Sequence, residues 1–193
     1  IILASNSPRR SELLHMIGLK FDIIPSSVNE NEKIELFGKH FAEYWSREKA
    51  ISVSQKNPDR LIIGADTIVI AKGKILGKPK DKEESIEMLK MLSGNVHRVI
   101  TGVTIVFKSE QIIKTFSETT KVSVLKIPEE RLTFYINNFN TLDKAGSYGI
   151  QDWFSVWIKK IDGCYYNVMG LPLSKFYFYF SEIMKNYFPK NSN

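Results

Sequence analysis

The stretch Leu61-Ile62-Ile63-Gly64-Ala65-Asp66-Thr67-Ile68-Val69-Ile70-Ala71 constrains this chain more than any other. Apolar and β-branched residues dominate it, and Lys72-Gly73-Lys74 turns it into Ile75-Leu76, which predicts a strand with a hairpin-like return. One carboxylate stands inside it. Burying a charge without a partner is costly, so Asp66 finds a cation, a metal or a proton, unless a bulge turns it to solvent or a structural lysine pairs with it. Gly64 and Ala65 have little side chain and let a ligand approach the backbone.

Around that strand the pattern alternates. Ile1 to Ala4 reads as a short buried strand and Pro8 to Ile17 as a helix stopped by Gly18. Phe21 to Ile24 reads as a strand, and Phe37 to Ser54 as a helix. Asp81 to Leu92 is a helix ended by Ser93-Gly94, and Val99 to Phe107 pairs with Ile112 to Leu125 as strands. Pro128 opens a helix, Trp153 to Ile161 reads as a strand, and Pro172 to Tyr187 as a closing helix. Interleaved strands and helices predict an α/β protein with a mixed sheet. The expected domain spans residues 1–185, and residues 186–193 are expected to fray.

The most specific local signal is Ala4-Ser5-Asn6-Ser7-Pro8-Arg9-Arg10-Ser11-Glu12-Leu13-Leu14. Ser7 suits an N-cap and Pro8 the first helical position, while Leu13, Leu14 and Ile17 form the buried face. Arg9 and Arg10 then work against the helix dipole. Two readings stand: the arginines point into water, or an anion bound at the turn unites N–H groups, dipole and guanidinium forks. The net charge of +6 and pI near 9.2 favour an anionic partner without choosing among RNA, DNA, an acidic protein and a phosphorylated small molecule.

Other classes are excluded or disfavoured. No apolar run approaches the ~20 residues of a membrane span, and Ile1 to Ala4 are too few for the apolar core of a secretory leader. Cys164 is the sole cysteine, which rules out an intrachain disulfide and makes the cytoplasm the default location. His15, His40 and His97 lack metal-site spacing and are read as structural. Neither a Gly-x-x-x-x-Gly-Lys-Ser/Thr loop, a Gly-x-Gly-x-x-Gly fingerprint nor a Gly-x-Ser-x-Gly elbow occurs. Glu30 and Glu32 fall in a polar loop, Glu48 and Lys49 on a helix, and Lys78 after the hairpin; each has an ordinary surface role open to it.

Taken together, the segments resemble the Maf family of nucleoside triphosphate pyrophosphatases. The likeness starts at Ala4-Ser5-x-Ser7-Pro8-Arg9-Arg10 and runs through Arg47-Glu48-Lys49-Ala50, Gly64-Ala65-Asp66-Thr67 and Leu76-Gly77-Lys78-Pro79. It continues in Leu92-Ser93-Gly94-x-x-His97, then Asp143-Lys144-Ala145-Gly146-x-Tyr148-Gly149-Ile150-Gln151 and Asn167-Val168-x-Gly170-Leu171-Pro172. The order holds over nearly the whole chain. The resemblance implies a two-lobed, Maf/ITPase-like α/β fold with a mixed sheet, flanking helices and a central cleft. It also implies a divalent cation, Mg²⁺ or Mn²⁺, and cleavage between the α and β phosphates to a nucleoside monophosphate and pyrophosphate.

Carried over by matching positions, Asp66 and Glu30 are the catalytic pair, Asp66 as proton acceptor and Glu30 assisting metal or water, and the same two carboxylates bind the metal. Ser7, Arg9, Arg10, Lys49, Thr67, Lys78 and Gln151 are substrate-binding, with Arg10, Lys49 and Lys78 on the triphosphate. Arg9, Thr67 and Gln151 resemble the subgroup acting on dTTP and UTP rather than 7-methyl-GTP. A triphosphate with its metal also accounts for arginines at a helix start, an aspartate in an apolar strand and a basic chain. Asn29 stands where many relatives carry an acid, which throws metal binding onto Glu30. Asp152-Trp153-Phe154 replaces a small glycine-rich turn, and the bulky pair is expected to narrow the cleft.

A nucleic-acid-binding module is the rival reading; it would use Arg9, Arg10 and the lysines with exposed aromatics and have no need of Asp66. A slow nucleotide sensor is the other, against which Asp66, Lys78 and Glu30 speak. The run Phe176 to Phe180 cannot point wholly inward from a helix, so a homodimer is expected as one use of its outer aromatics.

Overall fold

In a computed structural model, residues 1–30 and 34–187 of the chain are described. Glu32 and residues 188–193 lie outside them. β3 (Leu61–Ala71) forms over the whole predicted span and returns through Lys72, at φ 47°, and Gly73, at φ 75°, into β4 (Lys74–Leu76). β1 (Ile2–Leu3), α1 (Pro8–Met16), β2 (Asp22–Ile23) and α2 (Lys39–Ser54) precede it. α3 (Lys82–Leu92), β5 (Val96–Phe107), β6 (Ile112–Val124) and α4 (Glu129–Asn138) follow. The chain then runs through β7 (Ile158–Asp162), α5 (Tyr165–Met169) and α6 (Leu173–Tyr187).

The strands make one seven-stranded mixed sheet in the order β2-β1-β3-β5-β6-β7, with β4 also on β3. β1 runs parallel to β2 and β3; all the other pairings are antiparallel. The edge of β3 facing β1 is shared. β1 pairs there with Ile62 and Ile63, and β4 with Val69, Ile70 and Ala71. Neither reaches Gly64 to Ile68, so the sheet parts along that edge beside Asp66.

Successive β3 side chains point to opposite faces, as the pleat requires. Ile62, Ile68 and Ile70 join two small apolar clusters with Ala42, Ala50 and Val53 of α2. Leu61, Ile63, Ala65, Val69 and Ala71 face the main core, built with α1, α3, α4 and α6. α2 comes down on the sheet where glycines leave room for its backbone. A Cβ on Gly64 would lie 2.4 Å from the Ser46 carbonyl oxygen, and one on Gly102 2.2 Å from that of Ala42. Gly102 is the cross-strand partner of Asp66. The sheet is thus flanked by helices on both faces, an α/β architecture.

Two expectations are corrected. The segment Trp153 to Ile161 is not one strand: Trp153–Trp157 winds into 3₁₀ turns and only Ile158–Asp162 is extended. Asp152 causes this, because its carboxylate caps the turn by accepting from the Phe154 N–H. Trp153 and Phe154 do not narrow the cleft. Trp153 stacks on Tyr135 and Phe139, and Phe154 is fully buried between Tyr135 and Tyr148. α6 continues through Tyr187, and the rest of the segment expected to fray lies outside the described residues. α5 and the 3₁₀ turn Ala145–Ser147 were absent from the sequence reading, and β5 starts three residues before the expected Val99. No helix among the described residues is long and apolar enough to cross a membrane.

Candidate active site

A cleft of about 690 Å³ opens where the edge of β3 away from β5 lies between its pairings with β1 and β4. Its wall carries five cationic side chains, Arg9, Arg10, Lys49, Lys78 and Lys144, against three carboxylates, Glu30, Asp66 and Asp143. The balance favours an anionic ligand.

Asp66 is buried and pairs with Lys49, whose Nζ donates to Asp66 Oδ1 at 2.7 Å. The same ammonium lies 2.8 Å from Glu30 Oε2. Helical spacing explains the meeting: α2 rests on Gly64 and Gly102, and Lys49 faces down onto the sheet beside Ala42, Ser46, Ala50 and Val53, buried like them. Glu30 arrives from the loop after β2 and stays half exposed, its side chain 50% accessible against 10% for Asp66. Two oxygens therefore converge on one cation.

On the opposite face of β3, Arg10 is braced rather than extended into the cleft. Its Nε donates to the Gly170 carbonyl, and its terminal nitrogens donate to Ser5 Oγ and Thr67 Oγ1, all at 2.9 Å. Thr67 and Thr101 share a hydrogen bond, and the Thr101 hydroxyl donates to the Asn167 carbonyl. This chain ties α1, β3, β5 and α5 together. Burial lowers the Arg10 pKa from its ordinary value, while the fields of Asp66 and Glu30 act to raise it. Gly170, at φ 117°, ends α5 in the left-handed region, where only glycine sits without strain.

Arg9 reaches across the cleft to Asp143, 3.1 Å away, and Lys144 holds the same carboxylate at 2.7 Å. Burial alone would raise the Asp143 pKa, but the hydrogen bonds from Lys144 and Arg9 outweigh it and hold the carboxyl below its ordinary value. Ser7 is the N-cap of α1 by backbone geometry, yet its hydroxyl makes no capping hydrogen bond and lines the cleft. Lys78 is exposed on the cleft wall after β4. Gln151 stands apart: it is exposed and lies just beyond Gly149 and Ile150, the last lining residues of its segment.

Sequence reasoning named no site role for Asp143, Lys144 or Tyr148, which also line the cleft. The adjacent acid and base of Asp143-Lys144 were the signal that could have found them. His97 is structural, as expected. Its Nε2 shares a 2.8 Å hydrogen bond with the Tyr148 hydroxyl, Nδ1 is buried without a partner, and burial lowers its pKa to about 4.

A sequence model described as "Maf-like protein" matches residues 1–183. The chain belongs to the Maf-like family. It is 49% identical over 175 residues to the dTTP/UTP pyrophosphatase of Thermosipho africanus, covering 91% of this chain and 88% of that one. It is 46% identical over 177 residues to the dTTP/UTP pyrophosphatase of Carboxydothermus hydrogenoformans, covering 92% and 95%. A further relative is the dTTP/UTP pyrophosphatase of Bacillus pumilus, 45% identical over 175 residues and covering 91% and 92%. Among solved structures, a HAM1 protein from Coxiella burnetii covers 66% of this chain and 73% of its own at 13% identity and a TM-score of 0.40, too distant to argue from.

Proposed function

We propose that this Maf-like protein is a nucleoside triphosphate pyrophosphatase that releases pyrophosphate from dTTP, UTP or similar pyrimidine nucleotides. The observation that carries this is the meeting of Asp66, Lys49 and Glu30 in a cation-rich cleft, in a chain whose relatives at 45–49% identity bear that name. A nucleic-acid module has no use for a buried carboxylate at the base of such a cleft.

Asp66 is the general base. Before substrate arrives Lys49 holds the Asp66 carboxylate in place through Oδ1, and in the reaction that carboxylate takes a proton from the attacking water. The water oxygen bonds to the α-phosphorus, the bond from that phosphorus to the α–β bridging oxygen breaks, and pyrophosphate departs with the electron pair. Lys78, Lys49 and the start of α1 at Ser7 hold the phosphates, and Arg10 adds its charge from its braced position. Glu30 and Asp66 fit Mg²⁺ or Mn²⁺. Both offer hard oxygen donors that converge on one cation, and Mg²⁺ is commonly held by one or two carboxylates with phosphate oxygens and water completing its shell. When bound, such an ion supplies charge neutralisation and a more acidic water.

Arg9, Thr67 and Gln151 set base choice, with Gln151 at the rim supplying both donor and acceptor to a pyrimidine edge. A cytoplasmic location suits that substrate. Tyr177 and Phe178, 54% and 58% exposed on α6, form the surface a second copy would cover; sedimentation at micromolar concentration showing only a 22.2 kDa species would reject the dimer. The activity is tested by a panel of nucleoside triphosphates with Mg²⁺ or Mn²⁺, assayed for pyrophosphate. Release from UTP and dTTP is expected, and no release from any nucleotide would overturn the proposal.

A further inference from the structure

We propose that Lys49 is an exchangeable resident cation: its ammonium neutralises Glu30 and Asp66, a divalent cation must displace it to bind there, and the substrate's phosphates draw it away. This rests on the pyrophosphatase reading and adds an order of events to it.

The geometry defines the competition. Lys49 Nζ is 2.8 Å from Glu30 Oε2 and 2.7 Å from Asp66 Oδ1, so it uses an oxygen of each carboxylate that would hold the metal. An Mg²⁺ ion binds carboxylate oxygens at roughly 2.0–2.1 Å. Two cations cannot share that space, because like charges a few ångströms apart in a partly dry cleft repel strongly. The Lys49 and Asp66 side chains are only 11% and 10% exposed, so water screens the pair weakly.

The two kinds of cation here also differ in freedom. Arg10 is fixed by hydrogen bonds to Ser5, Thr67 and Gly170. Lys49 has a flexible stem, and among the described residues its hydrogen-bond and ion-pair partners are the two carboxylates. A short swing takes its ammonium into the cleft it already lines, toward incoming phosphates. The device suppresses binding of bare metal and favours metal and nucleotide arriving together. It also keeps both carboxylates converged beforehand.

Mn²⁺ binding to the nucleotide-free protein, read by electron paramagnetic resonance, tests this on wild type, Lys49→Met and Lys49→Arg. Lys49→Met is expected to bind Mn²⁺ at least ~10-fold more tightly than wild type, with Lys49→Arg within about threefold of it. Lys49→Met binding no more tightly than wild type overturns the exchange. Should Lys49→Met fail to fold, wild type labelled with ¹⁵N-lysine supplies the reading. The Lys49 ammonium resonance is expected to shift in step with Mg²⁺ saturation, and a static resonance while the Glu30 and Asp66 carboxyl carbons shift overturns it. Absence of pyrophosphate release would sink the proposed function and leave the Mn²⁺ comparison standing. Failure of Mn²⁺ to bind any variant, with or without nucleotide, overturns both the exchange and the metal assignment.

Discussion

Replacing Gly102 with alanine tests whether the position of α2 on bare sheet backbone is what brings Lys49 to Asp66. The added Cβ would lie 2.2 Å from the Ala42 carbonyl oxygen, 2.3 Å from its carbon and 2.6 Å from the Glu43 nitrogen. All three are helix backbone, so no side chain can swing aside. Ordinary contact needs roughly 3.5 Å, so α2 must lift by about 1 Å or β5 must sink. Overpacking of this kind costs ~1–3 kcal/mol, and the rigid obstacle argues for the upper end. Lifting α2 draws Lys49 away from Asp66, directly across the strand pair from Gly102. A displacement near 1 Å at a reacting group can reduce kcat/KM by ~10²-fold. Urea unfolding and pyrophosphate-release kinetics on Gly102→Ala give the two readings. Gly77→Ala, whose Cβ would meet nothing within 4 Å, is the control for stability. A Gly102→Ala protein with wild-type unfolding and kcat/KM within threefold of wild type would refute this account of how α2 positions the site.

Asp66→Asn keeps the shape of the side chain but removes the proton acceptor; kcat is expected to fall by ~10²–10⁴-fold with the fold retained, and near wild-type turnover would remove Asp66 from the mechanism. Gln151→Ala is expected to weaken the preference for UTP and dTTP over ATP and GTP more than it raises KM, and wild-type selectivity would show that the exposed glutamine does not read the base. His97 has its pKa lowered from 6.5 to about 4 by burial, so the unfolded chain binds its proton first as pH falls. The stability it contributes is present above pH 6.5 and is lost as pH falls from 6.5 toward 4, by up to about 3 kcal/mol. Urea unfolding at pH 7 and pH 4.5 should show a smaller loss in His97→Gln than in wild type, and equal losses would refute it.

Much of the fold was legible because its signals are local. The apolar run from Leu61 to Ala71 and the Lys72-Gly73 turn specify β3 and β4 without help from elsewhere. Trp153 to Ile161 misled because aromatic residues suit a strand, whereas the decisive interaction is the Asp152 carboxylate on the Phe154 N–H, a capping contact that hydrophobic patterning does not register. Trp153 and Phe154 then pack with α4, which lies far off in the chain's pattern and could not be placed from it.

The site was legible in its members more than in its connections, and Arg10 shows why. Its place at a helix start left solvent and a bound anion both open, and three of its donors prove to be taken by Ser5, Thr67 and Gly170. Those acceptors come from the turn before α1, from β3 and from the end of α5, so only the assembled sheet reveals them. Asp66 and Thr67, adjacent in sequence, serve opposite faces of β3 for the same reason that Ile68 and Val69 do. The pleat sends one to Lys49 under α2 and the other to Arg10 and Thr101. Between the short pairing of β1 and the short pairing of β4, the edge of β3 from Gly64 to Ile68 has no neighbouring strand among the described residues, and both faces reach the cleft there. A single strand can therefore present the Asp66 carboxylate on one side and the arginine brace on the other. The close approach of α2 over Gly64 and Gly102 sets the distance between Lys49 and the carboxylates it bridges.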